Sequence, residues 1–142
     1  MLRVCPSCGR KNRLPAGRLT AEARCGACKT TLPMPAEPID ADPQLFDDIV
    51  GHASVPVLVD FWAAWCGPCR TAAPVVHALA GEMAGRALVL KVDTEAQPEL
   101  GARYGVRAIP NFVVLRDGRV VAQHPGLAPR ETMRRWLEDA GA

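Results

Sequence analysis

The sequence predicts an α/β domain, a central mixed sheet with helices on both faces, preceded by a small cysteine-rich module. Three observations carry this prediction. Apolar runs of strand length at residues 57–63, 87–93 and 112–116 alternate with stretches of helical periodicity, as in strands covered by helices. Asp117-Gly118 between two strand-like runs signals a two-residue hairpin, so part of the sheet is antiparallel. Cys5-x-x-Cys8 and Cys25-x-x-Cys28 stand apart from that pattern, in a segment with no Phe, Trp or Tyr.

A chain of 142 residues suits one domain of about 100 residues plus an appendage. The expected division is residues 1–33 as a metal-binding module, 34–38 as a linker and 39–142 as the main domain. Hydrophobic residues make up 49% of the chain, yet no run approaches the roughly 18 residues a membrane span needs. No membrane association is expected. The first residues have no apolar stretch of signal-peptide length, so the expected location is the cytoplasm, where structural disulfides are rare. The net charge of +2 hides an asymmetry. Residues 1–33 carry Arg3, Arg10, Lys11, Arg13, Arg18, Arg24 and Lys29 against the single acid Glu22, while the remainder has more acids than bases. Without aromatic side chains on which bases stack, the basic module is read as a solvated face, and nucleic acid is not expected as a partner.

Taken in order, the two cysteine pairs have the spacing of zinc ribbons and related tetrathiolate sites. Cys5, Cys8, Cys25 and Cys28 are the expected ligands of one structural zinc ion per chain, with Gly9 and Gly26 relieving the crowded knuckles. Four thiolates leave no open position for water or substrate. So short a segment cannot bury enough apolar surface to fold alone, and the metal supplies the missing free energy. Pro33-Met34-Pro35-Ala36-Glu37-Pro38 reads as an extended linker that few core contacts cross. Ile39 begins a short edge strand. Asp42-Pro43 caps a helix with Phe46, Ile49 and Val50 on its apolar stripe and Gly51 as its stop. Residues 57–63 form a central strand, apolar on both faces apart from Asp60. After the third cysteine pair, Cys69, Ala72, Ala73, Val76, Leu79, Ala80 and Met83 recur at helical spacing, with a kink expected at Pro74. A strand over 87–93, a short helix over 98–104, the hairpin and a final helix over 129–140 complete the domain. In that last helix Met133, Trp136 and Leu137 face inward. His52, His77 and His124 share no spacing with the cysteines and are assigned no role.

The chemistry concentrates in Trp65-Cys66-Gly67-Pro68-Cys69, which joins the central strand to the long helix. At a helix N-terminus, unpaired N–H groups and the positive end of the dipole favour a thiolate, which makes Cys66 the expected nucleophile. Cys69, one turn deeper and less open to solvent, is the expected resolving thiol. Asp60 is the candidate base for Cys69, since burial raises a carboxyl pKa toward the working range. A position at a wet strand end is the competing reading of Asp60.

The stretch Val59-Asp60-Phe61-Trp62-Ala63-Ala64-Trp65-Cys66-Gly67-Pro68-Cys69 resembles the active-site segment of thioredoxins. The resemblance continues through Lys91, Tyr104-Gly105-Val106-Arg107-Ala108-Ile109-Pro110, Asp117-Gly118 and Gly126. With the four leading cysteines, the layout is similar to the thioredoxin-2 type, in which a zinc module precedes the redox domain. The resemblance implies the thioredoxin fold behind a zinc-ribbon-like module. It implies that Lys91 lies near the buried acid and tunes it, and that the Ile109–Pro110 bond is cis. Trp65, Ile109, Pro110 and Gly126 then form an apolar rim for substrate around Cys66. Asn111 and Ala108 depart from the family's usual Thr and Gly, which bears on substrate preference.

The expected function is that of a protein-disulfide reductase working by dithiol–disulfide exchange, without an organic cofactor. Its expected partners are disulfide-containing proteins and, by resemblance, an NADPH-dependent thioredoxin reductase. A monomer is expected. Two rivals are a zinc- or redox-regulated binding protein that uses the domain as a partner platform, and an oxidant or isomerase. The intact redox motif with Asp60 argues against the first, and Gly67-Pro68 between the cysteines favours the reducing end of the scale.

Overall fold

A computed structural model describes residues 1–142. The main sheet has five strands: β3 (Ile39–Asp40), β4 (Val57–Trp62), β5 (Leu88–Asp93), β6 (Asn111–Arg116) and β7 (Arg119–Pro125). Their spatial order is β3-β5-β4-β6-β7. Strands β3, β5 and β4 are parallel, β6 pairs antiparallel with β4, and β7 pairs antiparallel with β6, so the sheet is mixed.

Strand parity divides the core in two. Val57, Val59 and Phe61 of β4 pack with Phe46 and Ile49 of α1 (Pro43–His52) and Leu100 of α3 (Pro98–Arg103). Leu58 packs on the opposite face with Ala72, Val76 and Leu79 of α2 (Gly67–Glu82) and with Met133 and Leu137 of α4 (Arg130–Asp139). Trp136 is partly buried at the edge of that cluster, its ring stacked on His124 at 3.9 Å between centroids. Asp60 shares the parity of Leu58 and so faces α2.

Local chemistry accounts for most boundaries. The Asp42 carboxylate accepts a 2.8 Å bond from the Leu45 N–H, with proline at the first helical turn, and starts α1. Gly51 does not stop that helix, which runs to His52. Helix α2 continues through Pro74. Asp117 and Gly118 both adopt positive φ, 53° and 76°, as the hairpin turn requires.

The module is built on a two-stranded antiparallel ribbon, β1 (Leu2–Val4) and β2 (Lys11–Arg13). The expectation that few core contacts cross the linker is not met. Leu19 follows a 3₁₀ turn at Ala16–Arg18 and is 4% exposed, buried in the cluster that contains Phe46, Ile49 and Val50. The Ser54 N–H donates to Thr20 Oγ1 at 3.0 Å, and Arg3 pairs with Glu37 at 2.8 Å. Gly17 lies so close to His52 that a Cβ there would stand 2.9 Å from the imidazole. The physical reason is size. The module's own apolar cluster holds only Cys5, Cys25 and Leu32, flanked by Leu14 and Ala23, and cannot also cover Leu19.

Candidate active site and metal centre

Strand β4 and helix α2 meet at Cys66. Cys66 is the N-cap of α2, and its sulfur accepts a 3.2 Å bond from the Cys69 N–H. Gly67 and Pro68 occupy the first helical positions, where the missing N–H of proline costs nothing. The helix turn then brings Cys69 back to Cys66, and the two are disulfide-bonded with Cα atoms 5.2 Å apart. Expectation and structure differ on access. Cys66 and Cys69 are 3% and 4% exposed, so Cys66 is no more open than its partner. Ala63, Trp62 and Ile109 pack around the pair, and the Ile109 carbonyl oxygen lies 3.6 Å from Cys66 Sγ.

Asp60 is 1% exposed, not at a wet strand end, and its Oδ1 has no hydrogen-bond partner. Burial pushes its pKa up to about 6, against an opposing pull from the positive charge of Lys91. Lys91 is the registered neighbour of Asp60 on β5, and its ammonium sits over the Trp62 ring, 4.5 Å from the centroid.

The expected rim residues fall into two groups. Trp65 is 66% exposed and, with Ile109, lines a depression of about 340 Å³ that also includes Val106 and Arg107. Pro110 and Gly126 lie outside that depression and are joined by a 2.8 Å bond from the Gly126 N–H to the Pro110 carbonyl. The Ile109–Pro110 peptide is cis. One residue absent from the sequence reading joins the site here: Glu95 accepts a 2.8 Å bond from the Trp65 indole N–H and tethers it. Asn111 is buried, and its Oδ1 accepts from Gln123, which also donates to the Tyr104 carbonyl.

The other four cysteines converge. All their sulfurs lie within 4.8 Å of one another, with Cys5–Cys28 and Cys8–Cys25 each at 3.6 Å. Zinc about 2.3 Å from each of four sulfurs would space them about 3.8 Å apart, so this donor set fits a tetrahedral thiolate site. The two knuckles repeat one hydrogen-bond pattern: Gly9 N–H to Cys5 carbonyl and Lys29 N–H to Cys25 carbonyl, Cys5 N–H to Arg10 carbonyl and Cys25 N–H to Thr30 carbonyl. The tight turns need positive φ at Gly9 and Lys29, 78° and 65°. Gly26, expected to fill that role, does not adopt positive φ; the turn reverses one residue after the second cysteine of each pair. Asn12, also unforeseen, donates to Cys25 Sγ at 3.6 Å and accepts from the Gly26 N–H at 2.9 Å. No spacing signal marks Asn12 or Glu95, because each acts across 13 or more residues.

Both parts of the chain match described families. A family model described as Thioredoxin matches residues 37–139, and a zinc-ribbon model described as Thioredoxin 2, N-terminal, matches residues 4–30. Thioredoxin C-3 of Corynebacterium nephridii is 38% identical over 138 residues, which cover 97% of this chain and 94% of that protein. The M-type chloroplastic thioredoxin of Chlamydomonas reinhardtii is 36% identical over 132 residues, 91% of this chain and 94% of its own. Among solved structures, a mutant thioredoxin from Halobacterium salinarum NRC-1 superposes with a TM-score of 0.71 at 34% identity, covering 76% of this chain and 94% of the other.

Proposed function

Because the chain belongs to the thioredoxin family and is a protein-disulfide oxidoreductase, we propose that Cys66 attacks the substrate disulfide and Cys69 resolves the product. The observation that carries this reading is the Cys66 sulfur at the start of α2, hydrogen-bonded by the Cys69 N–H. In the reduced protein that N–H and the helix dipole stabilise a Cys66 thiolate. The thiolate displaces one substrate sulfur as thiolate and forms a mixed disulfide with the other. Asp60 then takes the Cys69 proton, and the Cys69 thiolate attacks Cys66 Sγ and releases the second substrate sulfur. The substrate gains two electrons, and Cys66 and Cys69 end as the disulfide. Lys91 tunes Asp60 through its charge and takes no proton itself. Trp65, Ile109, Pro110 and Gly126 bind the extended substrate segment flanking the target bond.

The same proposal covers the rest of the chain. Residues 1–33 hold one structural zinc on Cys5, Cys8, Cys25 and Cys28, residues 34–38 link it, and residues 39–142 do the redox work. The ion would supply folding energy only, since the four sulfurs complete its shell. Disulfide-bearing proteins are the substrates, a flavin-dependent, NADPH-using reductase returns the electrons, and the location is cytoplasmic.

Covalent trapping tests the roles. Cys69→Ser should accumulate a mixed disulfide with a protein substrate, resistant to SDS and cleaved by dithiothreitol, whereas Cys66→Ser should accumulate none. Equal trapping by both variants, or the reverse order, rejects the assignment.

A further inference from the structure

Strand register places three ionisable residues in one row across the sheet. Lys91 on β5 is the registered neighbour of Asp60 on β4 and of Asp40 on β3. Registered residues of adjacent strands point to the same face, so Asp40, Lys91 and Asp60 share the face covered by α2. The row runs from water to core: Asp40 is exposed on the edge strand, Lys91 half-buried, Asp60 1% exposed.

Two surface depressions meet at this row. One, of about 380 Å³, is lined by Asp42, Trp62, Asp93 and Gln97 among others; the second, of about 610 Å³, by Glu37, Pro74 and His77 among others. The residues common to both are Asp40 and Lys91. They form the wall between the two, and Asp60 lines neither. Lys91 is thus the one charged side chain that touches solvent on both sides and also neighbours the buried acid. Its ammonium rests over Trp62 and makes no ion pair with any carboxylate. In register it stands between Asp60 on one side and Asp40 on the other.

We propose that Asp40 is a positioning residue for the redox reaction: its carboxylate draws on the charge of Lys91 and so limits how far Lys91 stabilises ionised Asp60. The proposal rests on the reading of Asp60 as the base for Cys69. The other charged or titratable groups facing Lys91 are already engaged or lie beyond it. Asp93 accepts from the Glu95 and Ala96 N–H groups, Asp42 caps α1, Glu37 pairs with Arg3, and His77 sits on α2 across the second depression. The Asp40 carboxylate makes neither a hydrogen bond nor an ion pair, and unlike Asp93, Asp42, Glu37 and His77 it stands in register with Lys91.

Neutralising Asp40 removes a negative charge that opposes ionisation of Asp60 and frees Lys91 to favour it, so Asp60 should titrate lower. The experiment follows the ¹³C shift of the Asp60 carboxyl against pH in the oxidised, zinc-loaded full chain, where Cys66 and Cys69 do not titrate. Asp40→Asn should lower the midpoint by about half a pH unit, roughly a threefold change in acid constant, and Asp40→Lys by about twice that. In a Lys91→Met background the Asp40→Asn shift should shrink to less than about half its size. Midpoints that stay put or rise in both Asp40 variants overturn the proposal. A full-sized shift that persists without Lys91 overturns the mediation by Lys91. This titration reads the coupling whether or not Asp60 serves as the base, which single-turnover kinetics of Asp60→Asn decide separately.

Discussion

The chain uses Cys-x-x-Cys in two settings, and comparing them shows how little the spacing alone decides. In the redox pair the two sulfurs bond to each other. In the module the nearest sulfur neighbours lie between pairs, Cys5 with Cys28 and Cys8 with Cys25. The backbone after the second cysteine makes the difference. Arg70 continues a helix, so Cys69 folds back one turn onto Cys66. Gly9 and Lys29 reverse the chain at positive φ, which leaves both sulfurs of a pair aimed outward at a shared point. The surroundings differ in the same sense. A buried acid, Asp60, lies on the strand that leads to the redox pair, whereas Asn12 and Thr30 offer neutral polar contacts to the cluster.

The largest expected effect separates the two settings outright. Cys66→Ser should lower disulfide reduction on the order of 10³-fold or more and leave one zinc per chain by elemental analysis. Cys25→Ser should lose the zinc and keep turnover within about tenfold at temperatures where the main domain is folded. Zinc lost with Cys66→Ser would break the division between the sites.

Next in size is the stability cost of the buried acid. Asp60 titrates near 6 in the folded chain and about 3.9 in the unfolded one, so the native state binds this proton more tightly. Its contribution to stability is therefore fully present below about pH 4 and is lost as pH rises through 6. Asp60→Asn should be more stable than the parent by on the order of 2–3 kcal/mol at pH 8, with the advantage gone at pH 4. Urea unfolding at the two pH values measures this, and a pH-independent difference would contradict it.

The docking of the module sharpens the comparison further. Leu19→Ala should destabilise the main domain by about 2–3 kcal/mol, read by thermal unfolding of the zinc-loaded protein. A fragment of residues 34–142 should fold with a similar loss and reduce disulfides within about tenfold of the full chain. Activity lost toward every disulfide in a folded fragment would mean that the module shapes the Cys66 pocket. The smallest effect is at the surface: Arg3→Ala, which breaks the pair with half-exposed Glu37, should cost less than about 1 kcal/mol and less still in high salt.

What was legible in the sequence was local chemistry. The Asp42 cap, the Asp117-Gly118 hairpin, the apolar strands and the helix behind Cys66 each follow from neighbours a few residues apart. The missed features act across the fold. Leu19 reads as one apolar residue in a polar loop until α1 is placed beside it. Equal burial of Cys66 and Cys69 depends on Ile109, 43 residues away. Glu95 finds Trp65 across 30 residues, and the turn at Lys29 contradicts the residue preference that points to glycine.

The burial of Cys66 sets a condition on what the protein can meet. With 3% of the residue exposed, the sulfur is a small target in a largely closed surface, next to the Ile109 carbonyl. A colliding disulfide succeeds only if its own sulfurs protrude and the chain around them lies flat against that carbonyl. On the proposed mechanism, disulfides recessed in rigid, convex surfaces should react slowest. Disulfides in loosened or partly unfolded segments should react faster. The burial thus sorts collision partners by conformational freedom, so the measured rate for one substrate should track how often its disulfide segment opens.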